Sequence, residues 1–246
     1  MGADRAQAYA VTHRNLVALL RDRDEEAITR VVPASPAWTV KDVVGHVTGV
    51  AADATGGREF ADLNLLDAWR DPGQAARRDA LTAAQVDSRR SLSLAEVLEE
   101  WAGHCEALVP MLRGDRPFPV PMPFIDSIVV ADLAVHAQDV RGALGLPGDR
   151  ESAGVGIAMA GYAAALGLRL RALGLPALRL SYGGKERIVG HGEPAATIEA
   201  ERYEIFRALA GRRSTEQIMA MRWTGDPEPY LPVIPAYGER TDAIEE

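Results

Sequence analysis

The sequence predicts a mainly α protein, in which a four-helix bundle is followed by a smaller α+β unit. Two observations carry this prediction. In the first part of the chain, apolar residues recur at helical spacing. Beyond Gly148, alternating strand patterns enclose a Gly183-Gly184 turn. We therefore predict two domains, a helical bundle over residues 1–148 and an α+β domain with an extended tail over residues 149–246.

The first two helices have different entry signals. Apolar periodicity predicts helix one over residues 3–26. Helix two is predicted to begin at Thr39, because Thr39 is a favourable N-cap and Asp42 completes a capping box. The polar stretch 58–90, rich in Arg and Asp, is predicted to be loop and broken helix.

Helices three and four complete the predicted bundle. Ser93 and Glu96 repeat the capping-box pattern at the start of helix three, and Pro110 is expected to disturb its end. Four prolines between residues 117 and 123 predict an extended connector. Helix four then runs to Gly145, where the sequence Gly-Leu-Pro-Gly is a C-terminal signal.

The predicted C-terminal domain begins with an Ala/Gly-rich helix. We expect this helix over residues 152–173, followed by a hairpin of strands 178–182 and 185–189 and a third strand over 196–200. A short helix over 201–210 and a second one from the Ser214 capping box onward are expected to follow. The tail from Asp226 contains four prolines, and it is predicted to be extended over the surface.

Composition restricts the function classes. The net charge of −8 argues against nucleic-acid binding, because no basic tract is present to neutralise phosphates. Cys105 is the only cysteine, which favours a reducing compartment. The start of the chain lacks an apolar signal core, and no uninterrupted apolar run approaches the length of a membrane span. We therefore expect a soluble cytoplasmic protein without nucleic-acid or membrane partners.

Two ionisable residues interrupt the apolar face of helix four. Asp132 and His136 are four residues apart, so they project from neighbouring turns of one face. His46 on helix two is a third candidate, and Gly45 and Gly49 leave room beside it for an ion or ligand. The three residues form a plausible divalent-metal site inside a bundle. A hydrogen-bonded Asp–His pair with a purely structural role is the equally weighted alternative.

The candidate ligands favour zinc or another first-row divalent metal. Three protein ligands would leave coordination positions open, as catalytic sites require. Asp139 lies three residues after His136 and could orient its imidazole, or could pair at the surface with Arg141. His13 is expected to be solvated on helix one, and Cys105 is expected to pack in the core.

Arginines at the end of a C-terminal helix form a second candidate group. Arg207 lies on that helix, and Arg213 lies after its end, where a guanidinium can project out of the fold. They could bind a substrate carboxylate with a bidentate fork, facing the bundle across a domain interface. The alternative is favourable pairing with the helix C-terminus, together with solvation.

Three stretches together resemble the mycothiol-dependent maleylpyruvate isomerase family, which belongs to the DinB-like metal-binding helical bundles. They are WTVKDVVGHV at 38–47, DLAVHAQDVR at 132–141 and RALAGRRSTEQ at 207–217. The resemblance spans nearly the whole chain and implies a sterol-carrier-like C-terminal domain. The family's metal ligands, a His and a Glu-x-x-x-His pair, would correspond to His46, Asp132 and His136. Here Asp132 replaces the Glu and is shorter by one methylene.

The resemblance also implies an activity. The family uses mycothiol, a low-molecular-weight thiol, whose metal-bound thiolate attacks an electrophilic carbon of a small substrate. A C-terminal arginine, here Arg207 or Arg213, would hold a substrate carboxylate. Addition, bond rotation and elimination would give an isomerase, whereas addition or displacement alone would give an S-transferase. A metal-dependent hydrolase and a non-catalytic metal- or small-molecule-binding module are the alternatives, and a monomer or homodimer is expected.

Overall fold

The computed structural model describes residues 2–56, 69–119 and 122–246. The chain divides into two compact units, Met1–Ala158 together with Glu246, and Met159–Glu245. Among the described residues, the first unit is helical apart from one short hairpin, and the second combines a four-stranded sheet with short helices. A mainly α bundle with a smaller α+β part is therefore confirmed. The predicted domain boundary at 148/149 stays a prediction, since the two units divide inside a helix.

Four helices form the bundle of the first unit: α1 (Gly2–Leu20), α3 (Val40–Gly56), α5 (Leu94–Arg113) and α6 (Ile125–Leu144). Helices α1 and α3 each pack against both α5 and α6, which closes the ring. The core between them is apolar and includes Leu16, Val44, Val97, Trp101, Val129 and Leu133. A short helix α2 (Glu25–Ile28) and a hairpin of β1 (Val31–Val32) and β2 (Ser35–Thr39) connect α1 to α3.

Both predicted capping boxes of the bundle are confirmed. Thr39 Oγ1 accepts from the Asp42 amide at 3.2 Å, and Asp42 Oδ2 accepts from the Thr39 amide at 2.9 Å. Ser93 and Glu96 make the same reciprocal pair. Pro110 does not end α5, which continues to Arg113 and is closed by Gly114 at a φ of 86°. Capping side chains therefore fix the residues at which α3 and α5 begin.

Two predictions about this unit are wrong. Helix one ends at Leu20, because Asp24 caps the separate helix α2. The polar stretch contains a sixteen-residue helix, α4 (Pro72–Asp87), which packs against α3. This helix is poor in large apolar residues, and the residues it buries are Gln85 and Val86. The part of that stretch at 58–68, and residues 120–121 of the proline-rich connector, lie outside the described residues.

The second unit contains the sheet β4-β3-β5-β6. Its strands are β3 (Ala177–Tyr182), β4 (Lys185–Val189), β5 (Pro194–Glu199) and β6 (Arg222–Thr224). The predicted hairpin and third strand are confirmed, whereas β6 was not predicted. Helix α7 (Ala153–Ala172) precedes the sheet, and α8 (Arg202–Leu209) and α9 (Thr215–Met219) lie between β5 and β6. The predicted Ser214 capping box is present at the start of α9.

A short loop that crosses the start of β3 allows β5 to pair with the edge of β3 opposite to β4. Strand β4 is antiparallel to β3, and β5 is parallel to β3 on its other edge. The loop between β4 and β5 therefore passes the beginning of β3. Gly190 has a φ of 98°, and a Cβ there would lie 3.0 Å from the Ala177 Cα. Glycine suits this position both by conformation and by size.

The prediction of an extended surface tail is wrong for residues 228–237. This part of the tail forms compact turns, in which the Ile234 amide donates to the Tyr230 carbonyl at 2.9 Å. Tyr230 is 2% exposed and its hydroxyl donates to the Ala177 carbonyl at 3.3 Å. The tail is thus part of the core of the second unit. The apolar residues of the tail explain why it is buried. Its high proline content had instead suggested an extended segment.

Helix α7 is the one helix in the described ranges that is long and apolar enough to cross a membrane, by length and composition only. Half of its apolar window is buried inside the protein. Buried core helices meet the same criterion, so this property alone does not identify a membrane span.

Candidate metal centre

The fold brings the three predicted ligands together. His46 lies in the middle of α3, and Asp132 and His136 lie one turn apart on α6. One donor atom from each residue falls within 4.8 Å of the other two. Asp132 Oδ1 lies 3.5 Å from His46 Nε2 and 3.7 Å from His136 Nε2. The shorter side chain of Asp132 therefore reaches both imidazoles.

These separations fit a divalent cation. Zinc bonds of about 2.0–2.1 Å in a tetrahedron put neighbouring donor atoms about 3.3 Å apart, close to both carboxylate–imidazole distances. His46 and His136 are 3% and 7% exposed. The Asp132 side chain is 24% exposed, so the group is open on the carboxylate side. Two imidazoles and one carboxylate are ligands that zinc and related ions prefer.

A hydrogen-bonded chain from α4 orients His46. Gln85 Oε1 lies 2.8 Å from His46 Nδ1, and Gln85 Nε2 donates to Asp53 Oδ2 at 2.6 Å. Since the amide oxygen can only accept, His46 donates from Nδ1. The lone pair of its Nε2 is then directed toward Asp132. Gln85 is 5% exposed, and no sequence motif predicts its place at this site.

His136 is oriented by a carboxylate. Asp139 Oδ2 lies 3.0 Å from His136 Nδ1, although the contact is too bent for a well-aligned hydrogen bond. Burial lowers the pKa of His136, against the opposing effects of Asp132 and Asp139. The imidazole is therefore neutral near pH 7, which is the form that coordinates metals.

An aromatic ring lies against both imidazoles. The centroid of Trp38 in β2 is 5.0 Å from that of His46 and 6.1 Å from that of His136. The two imidazoles are 4.8 Å apart and edge to face. Trp38 thus limits the space around the donor atoms. Its position was not predicted, because the β1–β2 hairpin that carries it has no clear sequence signal.

The glycines beside His46 have another role than expected. A Cβ on Gly49 would lie 2.5 Å from the Gln85 Cβ, and one on Gly45 would lie 3.5 Å from the Arg89 Cβ. The space beside His46 is therefore occupied by α4 and the residues after it. The expectation that these glycines make room for an ion or ligand is wrong, because their close neighbours are protein side chains.

The candidate arginines are both buried within the second unit. Arg207 is 0% exposed, and its guanidinium lies 6.0 Å from the ring centroid of Tyr203. Arg213 is 4% exposed and donates to both oxygens of Glu204, at 2.6 and 2.9 Å. Neither guanidinium projects into solvent, contrary to the expectation from their place at a helix end. Ion pairing and an aromatic neighbour account for this burial.

The family described as "Mycothiol maleylpyruvate isomerase N-terminal domain" has a sequence model that matches residues 9–141, more than half of the chain. The chain belongs to this family. The matched segment contains His46, Asp132 and His136, together with Gln85. No curated protein is a match to this chain.

Two solved structures are similar in fold. A histidine-to-alanine mutant of the mycothiol-dependent maleylpyruvate isomerase is 13% identical, with a TM-score of 0.59 over 91% of this chain and 93% of that one. Another structure of mycothiol-dependent maleylpyruvate isomerase is 15% identical, with a TM-score of 0.55 over 86% of this chain and 90% of that one. The likeness covers both units. The predicted fold class, a DinB-like bundle with a smaller α+β domain, is confirmed, whereas the sterol-carrier-like character of the smaller domain stays a prediction.

Proposed function

We propose that this protein is a metal-dependent enzyme that uses mycothiol to transform a small electrophilic substrate carrying a carboxylate. The convergence of two Nε2 atoms on Asp132 Oδ1, at 3.5 and 3.7 Å, is the observation that carries the proposal. Membership of the family and the likeness in fold support the choice of thiol. The substrate class comes from the same relatives, whose name specifies maleylpyruvate.

His46, Asp132 and His136 would hold the metal, with zinc the preferred ion. Each imidazole has its Nδ1 next to a protein oxygen, on Gln85 and Asp139, so each can offer Nε2. Asp132 would contribute the negative charge that offsets part of the charge of the cation. Three ligands leave room in the coordination shell for a small molecule, which distinguishes a catalytic from a purely structural site.

The reacting sulfur is proposed to come from mycothiol and not from the protein. A bound divalent cation would lower the pKa of a coordinating thiol and so supply a thiolate near neutral pH. Burial raises the pKa of Cys105 to about 11, so its own thiol stays protonated. The chain thus has no activated cysteine, since Cys105 is the only one.

An isomerase and an S-transferase would share the first step. The thiolate adds to an alkene carbon, a C–S bond forms, and the π electrons move onto the conjugated carbonyl as an enolate. In an isomerase the new single bond rotates, the electrons return and the thiolate leaves, so no atom is gained or lost. In a transferase the enolate takes up a proton and the thioether is the product. We propose that Arg207 or Arg213 binds the substrate carboxylate.

The test is to incubate zinc-loaded protein with maleylpyruvate and mycothiol, and to follow both compounds by chromatography. Isomerisation with no net consumption of thiol would support the isomerase, and consumption of one thiol per substrate would support the transferase. Thiol-independent cleavage of the substrate with addition of water would show a hydrolase instead. Metal binding with no turnover of maleylpyruvate or other electrophiles would favour a non-catalytic binding module.

A further inference from the structure

Helix α4 lies outside the four-helix ring, yet one of its buried side chains touches the candidate metal centre. We propose that Gln85 is a positioning residue, held by Asp53, that fixes the tautomer of His46 and so sets the metal affinity of the site. Gly49 lets α4 come close enough to do this. The inference rests on the metal site of the proposed function, and concerns residues that are not proposed as ligands.

The direction of the hydrogen bonds from Asp53 through Gln85 to His46 follows from the chemical groups at the two ends of this series. An ionised carboxylate accepts hydrogen bonds and donates none, so the amide nitrogen of Gln85 faces Asp53 at 2.6 Å. The amide oxygen then faces His46 Nδ1 at 2.8 Å, and the imidazole must donate there. Turning the amide over would place its oxygen against the Asp53 carboxylate, where neither group can donate. Asp53 thus determines the tautomer of His46 through Gln85.

The tautomer decides whether His46 can bind a metal. With the proton on Nδ1, the lone pair of Nε2 is available on the side of Asp132, 3.5 Å away. With the proton on Nε2, the nitrogen facing the centre would be a donor and could not coordinate. Outer hydrogen-bond partners of metal-bound histidines typically change metal affinity about 10- to 100-fold. We assign an effect of this size to Gln85.

Gly49 controls the distance between α3 and α4 at this point. A Cβ on Gly49 would lie 2.5 Å from the Gln85 Cβ and 2.6 Å from its Cγ. These atoms are next to the α4 backbone, so a methyl group could be accommodated only by moving the helix. Gly45, one turn earlier, differs. A Cβ there would lie 3.5 Å from the Arg89 Cβ, which is an ordinary van der Waals contact.

A second contact fixes the end of α4 to the bundle. Arg89, two residues beyond the helix, donates from Nε to Glu100 of α5 at 3.1 Å, and from Nη1 to the Gln85 carbonyl at 3.0 Å. The backbone of Gln85 is therefore tied to α5 while its side chain reaches α3. This anchoring explains how a helix at the edge of the unit can position a buried imidazole.

The principal test measures zinc affinity of the full-length protein by competition with a chromophoric chelator. Gln85→Leu keeps a side chain of similar size without either hydrogen bond, and we expect about 10- to 100-fold weaker zinc binding. Imidazole ¹⁵N shifts of the metal-free protein should show His46 as the Nδ1–H tautomer. In Gln85→Leu that signal should become a mixture of the two tautomers.

A double variant that exchanges the amide and the carboxylate separates the effect of these hydrogen bonds from that of simple packing. In Gln85→Glu/Asp53→Asn, the carboxylate moves next to His46 and the amide takes the outer place, so both hydrogen bonds can form again. We expect this double variant to recover most of the zinc affinity lost in Gln85→Leu. Its His46 signal should again be the Nδ1–H tautomer.

The glycine pair supplies a matched control. Gly49→Ala should weaken zinc binding about as much as Gln85→Leu, because α4 must move, whereas Gly45→Ala should bind zinc like the wild type. The proposal is overturned if Gln85→Leu keeps wild-type zinc affinity, or if its His46 tautomer does not change. Equal effects of the two glycine variants would overturn the role of Gly49. None of these measurements uses mycothiol, so failure of the proposed thiol chemistry would leave them intact.

Discussion

The two units of the protein bury charged and polar groups in different ways. In the first unit, the Nε2 atoms of His46 and His136 converge on Asp132. In the second unit, Arg169 donates to the Val233 and Ile234 carbonyls, both at 3.1 Å. Arg213 likewise donates to Glu204 and to the Arg212 carbonyl. These arginines satisfy their hydrogen-bond donors within their own unit. The two imidazoles instead direct their Nε2 atoms toward one carboxylate.

The difference shows that burial of a charged group is not by itself a sign of a binding site. A buried guanidinium surrounded by carbonyls and a carboxylate contributes to the fold, because its desolvation is offset by charge-assisted hydrogen bonds. Two buried imidazole lone pairs and a carboxylate at one point gain little from each other. A cation is the partner that would satisfy all three. The contrast can be tested in both units.

The largest effect is expected in the first unit. His46→Ala and His136→Ala should each abolish the binding of one equivalent of zinc, because only two protein ligands remain. Loss of a ligand should lower metal affinity by far more than the 10- to 100-fold typical of losing a hydrogen-bond partner of a ligand. Elemental analysis of purified protein is the measurement. His104→Ala is the control, since His104 on α5 is outside the ligand group. Wild-type metal content in both ligand variants would show that the assignment is wrong.

The second effect concerns the arginines of the other unit. Arg207→Ala should reduce kcat/KM about 10- to 1000-fold, the range for losing one charge-assisted contact of about 1.5–4 kcal/mol. Arg207→Lys should recover only part, because lysine lacks the bidentate fork. Zinc content should be unchanged. The carboxylate-binding proposal fails if neither Arg207 nor Arg213 variants affect turnover.

Arg213 needs its own control because Glu204 binds its guanidinium. Arg213→Ala is expected to lower the free energy of unfolding by about 1–3 kcal/mol through loss of that pair. Glu204→Gln removes the same ion pair and leaves the arginine in place. If both variants lose stability and turnover equally, Arg213 acts by holding the fold. A larger loss of turnover in Arg213→Ala would assign it a part in binding substrate.

A smaller effect, on the pH dependence of the free energy of unfolding, is expected from His13, a buried histidine outside the candidate metal centre. Burial, with a contribution from Arg14, lowers the pKa of His13 below its ordinary value of 6.5. The folded state therefore binds fewer protons than the unfolded state, and the free energy of unfolding should fall as the pH drops below about 6.5, by at most about 1.4 kcal/mol per pH unit for each such group. His136 contributes in the same direction.

His13→Phe should remove its share of this pH dependence. The ring packs edge to face on Trp101, with centroids 4.5 Å apart, and phenylalanine can keep that contact. Urea unfolding of metal-free protein at pH 7.5 and 5.5 is the measurement, with His191→Phe at an exposed position as the control. An unchanged difference in stability between the two pH values would contradict the assignment.

The smallest effect is expected from Cys105→Ser. Its thiol stays protonated at neutral pH, because its pKa is raised to about 11. Serine should therefore leave kcat/KM for mycothiol and the electrophile within about twofold, since changes of a few tenths of a kcal/mol are typical away from the reacting groups. A large loss of activity in a folded Cys105→Ser protein would indicate a protein thiolate and would remove the reason for an external thiol.

Local patterns in the sequence determined a large part of this structure. The capping boxes at Thr39, Ser93 and Ser214 predicted where three helices begin, because a cap depends on residues three apart. The spacing of Asp132 and His136 predicted that they share a helix face for the same local reason. Both kinds of signal are independent of the rest of the chain.

Tertiary structure alone decided that helix α4 contributes to the candidate site. His46 and Gln85 are 39 residues apart, and no local pattern links them. Helix α4 was predicted only as loop and broken helix because it buries so little apolar surface, and His13, which was expected to be solvated, is buried against Trp101. Contacts such as these depend on how whole helices pack, and on glycines such as Gly49 that let two backbones approach. The sequence alone determined the candidate ligands and placed Asp139 beside His136, whereas packing determined that Gln85 orients His46.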